Sequence, residues 1–532
     1  MDIEKLKVLG SAAEETKRNL APLLSKLAEA RRRFATTRTD TDKRHLDIVQ
    51  AEVRVLSNRF DSIVAEMEAA TGLSEEELTA LEADKTPHGA DQIPRGNLRR
   101  ETVPTTSNID EQLPEALDAI YRLLPSRWLD GEDRESCRLS ELGEPERFLS
   151  LTKSLRRESE FPTLHRLRQA VRVSDDYLRG HPGYDHFAGA TVVPGIVRLW
   201  QMLENLTQVG GDVDGRLRRL WNGASAEVDS TLLELFTAGS CAQLGRSVEF
   251  VAETDVRSPD IRCHDPIPLV IECKRQQALS PYELREEAII ADIFVRLRAE
   301  CTKLGLCGRF TLRLSLEASA LDRAEVASRL TTQRLAPHPE RDVSYPWGSV
   351  AFEELPRRAR LPAATRLYSP NLLEWVFGWK TDLSEWDGLC CWIGNAAQMA
   401  MDVVESPVGL VWNNTCEPAI RKRTWAPTNL FSNAVGQIPP GEFGIIYVAY
   451  HEGTREELAD RRVEAFTRRI ASLEHAGNIR IPISYLCRLY PAPSHDGQPD
   501  FIESTIRLLS ETYGERTLFD YFPETVFTVS PS

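Results

Sequence analysis

The stretch Ala226–Gln276, AEVDSTLLELFTAGSCAQLGRSVEFVAETDVRSPDIRCHDPIPLVIECKRQ, decides how this chain is read. Val228 to Leu244 is apolar on most faces and reads as a helix stopped by Gly245, with Glu234 standing between Leu233 and Leu235. Ser247 to Ala252 reads as a strand, Asp260-Ile261 opens a second, and Leu269 to Cys273 forms a third. The run Ile267 to Ile271, with Pro268 at its start, is continuously apolar, which fits a strand covered on both sides. The two-residue period of a strand puts Glu272 and Lys274 on one face and turns Cys273 to the other. Tyr282 to Lys303 is then a helix. Phe310 to Leu316 alternates as a fourth strand, Phe310, Leu312 and Leu314 against Thr311, Arg313 and Ser315.

Asp260 and Glu272, with Lys274 two residues further on, are the groups a magnesium-dependent phosphodiesterase needs. Carboxylates hold a hard cation through oxygen, and a neighbouring ammonium orients or helps deprotonate the attacking water. Plainer readings exist for each. Pro259-Asp260 is a common turn dipeptide, and Glu272 with Lys274 also reads as a solvated strand face. Glu234, on a helix with few polar positions, needs a partner if buried; a metal or the Lys274 ammonium would supply it. Glu227, two helical turns earlier on nearly the same face, competes with Glu234, which we favour.

Ser258-Pro259-Asp260, eleven residues, then Glu272-Cys273-Lys274 resembles the PD-(D/E)xK nuclease superfamily, the restriction-endonuclease-like fold. Helix, three strands, helix, strand is the order of that superfamily's αβββαβ core. Glu234 lies eleven residues before Gly245, where many relatives carry a helix glutamate ahead of a Gly-x-x-Val strand. The resemblance implies that Asp260, Glu272 and the backbone carbonyl of Cys273 bind magnesium or manganese. It implies that Lys274 positions the water, and that Glu234 completes the metal shell through water or orients Lys274. Most relatives cut DNA in restriction, repair or anti-phage defence, so the expected activity is metal-dependent DNA hydrolysis. A helicase, NTPase or signalling enzyme is the expected kind of protein partner. The alternative is a nuclease-like domain that no longer cuts and serves as scaffold or sensor; the intact triad argues against it.

The 532 residues carry a net charge of −15 with 42% hydrophobic and 27% charged side chains, which excludes a general nucleic-acid coat but not a nuclease with a basic groove. Candidate groove residues are Arg275 and Gln276, directly after Lys274, and the run Arg421-Lys422-Arg423 beside Trp425. The ten cysteines contain no C-x-x-C and read as buried or free thiols, not a zinc site. No stretch approaches a membrane span, and Met1-Asp2-Ile3-Glu4-Lys5 is not a signal peptide, so a cytoplasmic protein is expected. G-x-x-x-x-G-K-[ST] and G-x-G-x-x-G are both missing. Gln498-Pro499-Asp500 with Glu503 is a second acidic group without a lysine two residues on, and His264-Asp265 lies in a loop; neither is assigned a role.

Multidomain α+β organisation follows. Leu46, Val49, Val53, Leu56, Phe60, Ile63 and Met67 form an a/d seam, preceded by a helix carrying Leu20, Leu24, Leu27 and Phe34. Residues 1–83 are therefore a helical hairpin or coiled coil, ending in a capping box at Ser74 and Glu77, and a homo-oligomer is expected. Residues 84–109 read as a linker and 110–222 as a helical domain. The nuclease core is 223–318. In 319–532, Phe443 to Tyr450, Arg455 to His475 and Ile481 to Tyr490 make a strand, helix and strand that either extend the nuclease sheet or stand alone.

Overall fold

A computed structural model describes the chain from Leu98 onward except residues 105–108, 126–145, 151–164, 181–183, 185, 225–226, 253–257, 266, 277–279, 363–364, 366–368, 380–386, 395–402, 452–455, 476–479, 492–500, 511–521, 524 and 528–532. Before Leu98 it describes only the helical positions Asn19, Lys26, Lys43, His45, Ile48, Val49 and Glu52. The chain divides into two compact units, Met1–Gln92 and Ile93–Ser532. In the first, Val49 is buried and Ile48 exposed. The other seam residues, the preceding helix, the capping box and residues 84–97 of the expected linker lie outside the described residues.

The second unit mixes α and β. It opens with β1 (Leu98–Pro104), α1 (Ile109–Leu123), β2 (Glu146–Ser150), α2 (Arg166–Leu178), α3 (His186–Leu206) and α4 (Val213–Asn222). The decisive stretch folds as α5 (Val228–Gln243), β3 (Val248–Phe250), β4 (Ile261–Cys263) and β5 (Leu269–Arg275). Next come α6 (Pro281–Leu304), β6 (Gly308–Leu314), α7 (Arg323–Thr332), β7 (Val343–Tyr345), β8 (Gly348–Glu354) and β9 (Arg358–Arg360). They are followed by α8 (Pro370–Phe377), β10 (Asp387–Gly394) and β11 (Val403–Asn414). The unit closes with α9 (Glu417–Val435), β12 (Phe443–His451), α10 (Glu456–His475), β13 (Arg480–Pro491) and β14 (Phe501–Leu509).

Two sheets result. The first has the order β1-β14-β13-β12-β5-β4-β3, with β5, β12 and β13 parallel and the remaining pairs antiparallel. The second runs β2-β10-β11-β6-β8-β7, with β9 also on β11. Leu98–Pro104, expected within a linker, is thus an edge strand on β14, and Glu146–Ser150, expected in a helical domain, is an edge strand on β10.

The fourth strand of the expected core is also corrected. β6 lies in the second sheet, parallel to β11, and the strand beside β5 is β12. The reason is burial. β6 is buried only at alternate positions, as suits a half-covered strand, whereas β12 is buried from Gly444 to His451. A parallel strand next to β5 is covered on both faces and needs such a continuous run.

One face of the first sheet, with Ile271, Cys273, Ile445, Tyr447, Ile483 and Tyr485, shares a hydrophobic core with α1, α2, α3 and α5. Tyr447 and Tyr485 stack there with ring centroids 4.2 Å apart. The other face, with Ile446, Val448 and Leu486, packs on Phe431 of α9 and Phe466 of α10.

A buried ionic layer joins the second sheet to these helices. Glu286 of α6 accepts from Arg423 Nε of α9 at 2.6 Å and from Asn414 Nδ2 of β11 at 2.7 Å, and Arg423 Nη1 donates to Asp387 of β10 at 2.9 Å. Arg462 of α10 caps the layer through Glu283 at 3.4 Å and the Arg423 carbonyl at 2.9 Å. Removing the central cation strands two carboxylates in a dry site. Arg423→Ala should therefore lose about 3–5 kcal/mol of stability, read as a lowered urea midpoint; an unchanged midpoint would contradict the layer.

Candidate functional site

β5 is an inner strand, hydrogen-bonded to β4 on one side and β12 on the other. Its apolar start makes it a covered strand, and its pleat carries Glu272 and Lys274 to the α9/α10 face, beside Ile446 and Val448 of β12. Asp260 stands one step before β4, whose Ile261 pairs with Ile271, so its register brings it next to Glu272. Its Oδ2 accepts the Cys273 N–H at 2.8 Å, which ties the Pro259-Asp260 turn to the strand. The strand and the turn thus bring Asp260, Glu272, Cys273 and Lys274 together.

Glu272 is fully buried. Its Oε1 accepts from the Lys274 ammonium, while its Oε2 is buried with no hydrogen-bond partner. Burial, then the charge of Asp260, push its pKa up to about 8 against the opposing pull of Lys274, and Glu234 adds to the rise. Asp260 is raised as well, chiefly by burial, with the Cys273 N–H and Lys274 opposing. Burial disfavours the charge on Lys274, but Glu272 and Asp260 outweigh it and hold its pKa above the ordinary value. Its side chain is 24% exposed, so the ammonium reaches from the buried carboxylate towards solvent.

Glu234 is buried on α5, as its apolar neighbours require, but its partner is Arg216 of α4, not Lys274. Arg216 also donates to the Val251 carbonyl at 3.3 Å and lies over the Phe250 ring at 5.3 Å. Arg219, one helical turn further and half-buried, joins Arg216 in favouring the charged form of Asp260. Neither arginine was singled out in the sequence. The signal available was their three-residue spacing on one face of a helix capped by Asp212, which accepts from Gly215 N–H at 2.8 Å. Glu227 is the N-cap residue of α5, with one oxygen 3.3 Å from the Ala224 N–H.

The expected basic groove is not assembled. Arg275 follows the pleat to the opposite face, where it is buried against Asp229 and His451. Gln276 continues the β5–β12 ladder through its N–H to the Ala449 carbonyl at 2.9 Å. On α9 the helical turn sends consecutive residues in different directions. Arg423 is the buried cation of the ionic layer and Lys422 pairs with Glu317 at 3.2 Å. Arg421 and Trp425 remain exposed, four residues apart. Glu503 of the second acidic group holds the chain end, accepting the N–H groups of Val526 at 3.1 Å and Phe527 at 3.0 Å. Asp265 accepts from the Ser247 N–H at 3.1 Å, a loop contact. Of the nine described cysteines eight are buried, and none of the nine forms a disulfide.

No protein-family model, no curated protein and no solved structure matches this chain. Among the described residues no helix is long and apolar enough to cross a membrane.

The donors nevertheless fit a hard divalent cation. Glu272 offers a buried oxygen with nothing on it, Asp260 is half-buried beside it, and their mutual repulsion would be relieved by positive charge. Among the described residues no three His, Cys, Asp or Glu side chains group as metal ligands. Two carboxylates are enough for magnesium, which keeps several of its waters.

The raised pKa has a sign that can be tested. In the folded, metal-free protein Glu272 keeps its proton up to about 8, whereas unfolded it would ionise at the ordinary value of 4.5. The stability this proton contributes is complete below the unfolded value and is lost as pH rises through the folded one. The melting temperature in EDTA should fall across that window, and Glu272→Gln should flatten the fall and melt above wild type at the alkaline end. Parallel melting curves for the two proteins throughout would remove the shift.

Proposed function

We propose that the chain is a metal-dependent nuclease that hydrolyses phosphodiester bonds, with DNA as substrate. The observation that carries this reading is the half-answered Glu272. One oxygen holds the Lys274 ammonium, the other is buried without a partner, and Asp260 stands alongside. These are the Asp, Glu and Lys that resemble the PD-(D/E)xK motif.

Asp260, Glu272 and the Cys273 carbonyl would hold magnesium or manganese. Bound there, the ion supplies charge neutralisation and a more acidic water. The protein's own groups do the rest. Lys274, fixed by Glu272 and still partly exposed, would hold the attacking water and meet negative charge as it develops on the phosphate. Arg216 holds Glu234 in place, and Arg219 adds positive charge beside Asp260. Exposed Arg421 and Trp425 offer a cation and an aromatic ring for a nucleic-acid strand at the end of α9. A second copy, paired through the Leu46–Met67 seam, would provide one site for each strand of a duplex.

A plasmid-nicking time course with magnesium, repeated in EDTA, tests the assignment. Lys274→Ala should slow cutting by about 10²–10⁴-fold while calorimetry still detects magnesium. Lys274→Arg should not restore the rate, because a planar guanidinium does not replace a compact point charge. Asp260→Ala should lose both cutting and metal binding with its fold intact. Wild-type cutting by Asp260→Ala, or undiminished manganese binding by Glu272→Ala, would overturn the assignment.

A further inference from the structure

Asp260 and Glu272 reach the site from different strands, and β4, which follows Asp260, is only three residues long. Two carboxylates serve one metal ion only if their spacing is held to within about 0.5 Å. By the register that pairs Cys263 with Leu269 and Ile261 with Ile271, Pro259 would stand opposite Cys273. The ladder stops at Ile261, and the Asp260 side chain takes the Cys273 N–H instead. On the β3 side, the Asp260 carbonyl accepts from the Val251 N–H at 3.0 Å.

Two further contacts hold the same turn from the opposite direction, across β5. Arg262, two residues after Asp260, donates from Nη1 to Glu442 Oε2 at 3.0 Å and from Nη2 to Oε1 at 3.5 Å. Glu442 immediately precedes β12, so this fork spans β5 at Val270, which pairs with Arg262 on one side and Gly444 on the other. The pleat puts Val270 and Glu272 on one face. Gln437 Nε2 donates to the carbonyl of Ser258, two residues before Asp260, at 3.4 Å. Both tethers start from one short connection, residues 436–442, between α9 and β12.

That connection is itself fixed. Pro439 to Glu442 form a turn closed by the Glu442 N–H on the Pro439 carbonyl at 3.1 Å. Proline stands second and Gly441, at φ 87°, third, as a type II turn requires. Arg480 Nη1 donates to the Gly441 carbonyl at 3.0 Å. Ile438 fills the space over Gly444, where a Cβ would come within 2.7 Å of its Cδ1. Arg262 and Glu442 are each 36% exposed, and pairs so wet contribute little to stability. What this pair and Gln437 do is fix the turn on both sides of one aspartate.

We infer that Arg262, Glu442 and Gln437 are positioning residues for the candidate metal site, holding the Asp260 carboxylate in place beside Glu272. The inference rests on the reading of Asp260 and Glu272 as metal ligands, and it gives the three residues no contact with metal or substrate.

Arg262→Met separates position from charge, because it keeps an apolar stem and removes the fork. By charge alone, deleting a cation near a metal site tightens metal binding; by position, the deletion weakens it. Manganese is titrated by calorimetry into full-length wild type and variants. Arg262→Met should bind manganese about tenfold or more weakly, and Gln437→Met, which changes no charge, should weaken binding too. Arg262→Met combined with Glu442→Gln should lose no more than Arg262→Met alone, since the two side chains form one contact. Melting temperatures in EDTA should stay within a few degrees of wild type. In metal-free protein, hydrogen exchange read by mass spectrometry on β5 peptides should show the Cys273 amide losing protection in Arg262→Met. Manganese bound by Arg262→Met as tightly as by wild type or tighter, or unchanged exchange at Cys273, overturns the positioning role and leaves the metal ligands standing. A wild type that binds no manganese overturns the ligands and the role together.

Discussion

Glu272 sits in a strand that water does not reach, with an ammonium on one oxygen and nothing from the protein on the other. Burying a carboxylate in this way is costly, and a second carboxylate nearby makes it more so. The arrangement persists because the surroundings leave no alternative. β12 closes one side of β5, the Asp260 turn is tied to the other through the Cys273 N–H, and α9 and α10 cover the face. The same covering that makes the site expensive is what would make any charge brought to it effective.

A comparison inside the molecule sharpens the point. Glu286 is equally buried, yet both of its oxygens are met, by Arg423 and by Asn414, and Arg423 has Asp387 as a further partner. That ionic layer joins the second sheet to α6, α9 and α10, and its central carboxylate is met on both oxygens, so its charges are structural. Glu272 is incomplete in the same environment. Buried polar groups are nearly always satisfied, and one of this molecule's exceptions lies where the sequence carries its Asp, Glu and Lys.

Local order was legible from residues 226–276 because it depends on local signals. The Gly245 stop, the apolar run into Glu272 and the alternation of the pleat give α5, β3, β4 and β5 almost residue by residue. Sheet membership was not, because it is a long-range choice. The alternation that identified Phe310 to Leu314 as a strand also marked it as half-covered, which should have excluded it as the neighbour of β5. Arg275 shows the same limit at the level of one residue. Beside Lys274 in sequence it looked like part of a groove, but adjacent strand residues face opposite ways. Arg216 came from a helix read only as periodic; its ion pair with Glu234 crosses between elements and leaves no trace in spacing.

The pairing of β5 with β12 joins Val270 to Gly444 and Lys274 to Val448, so residues 276–442 are made between two strands that end up side by side. At about 5–20 residues per second, a ribosome needs roughly ten to thirty seconds to supply the missing partner. Throughout that interval β5 presents an open edge and a face not yet covered by α9 and α10, while the intervening second sheet can already close on itself. Pairings so distant in sequence form slowly and expose chains to aggregation. Asp260 and Glu272 can meet early, through the local β4–β5 pairing, but the α9 and α10 cover that shuts water away from them is completed only after β12 has docked.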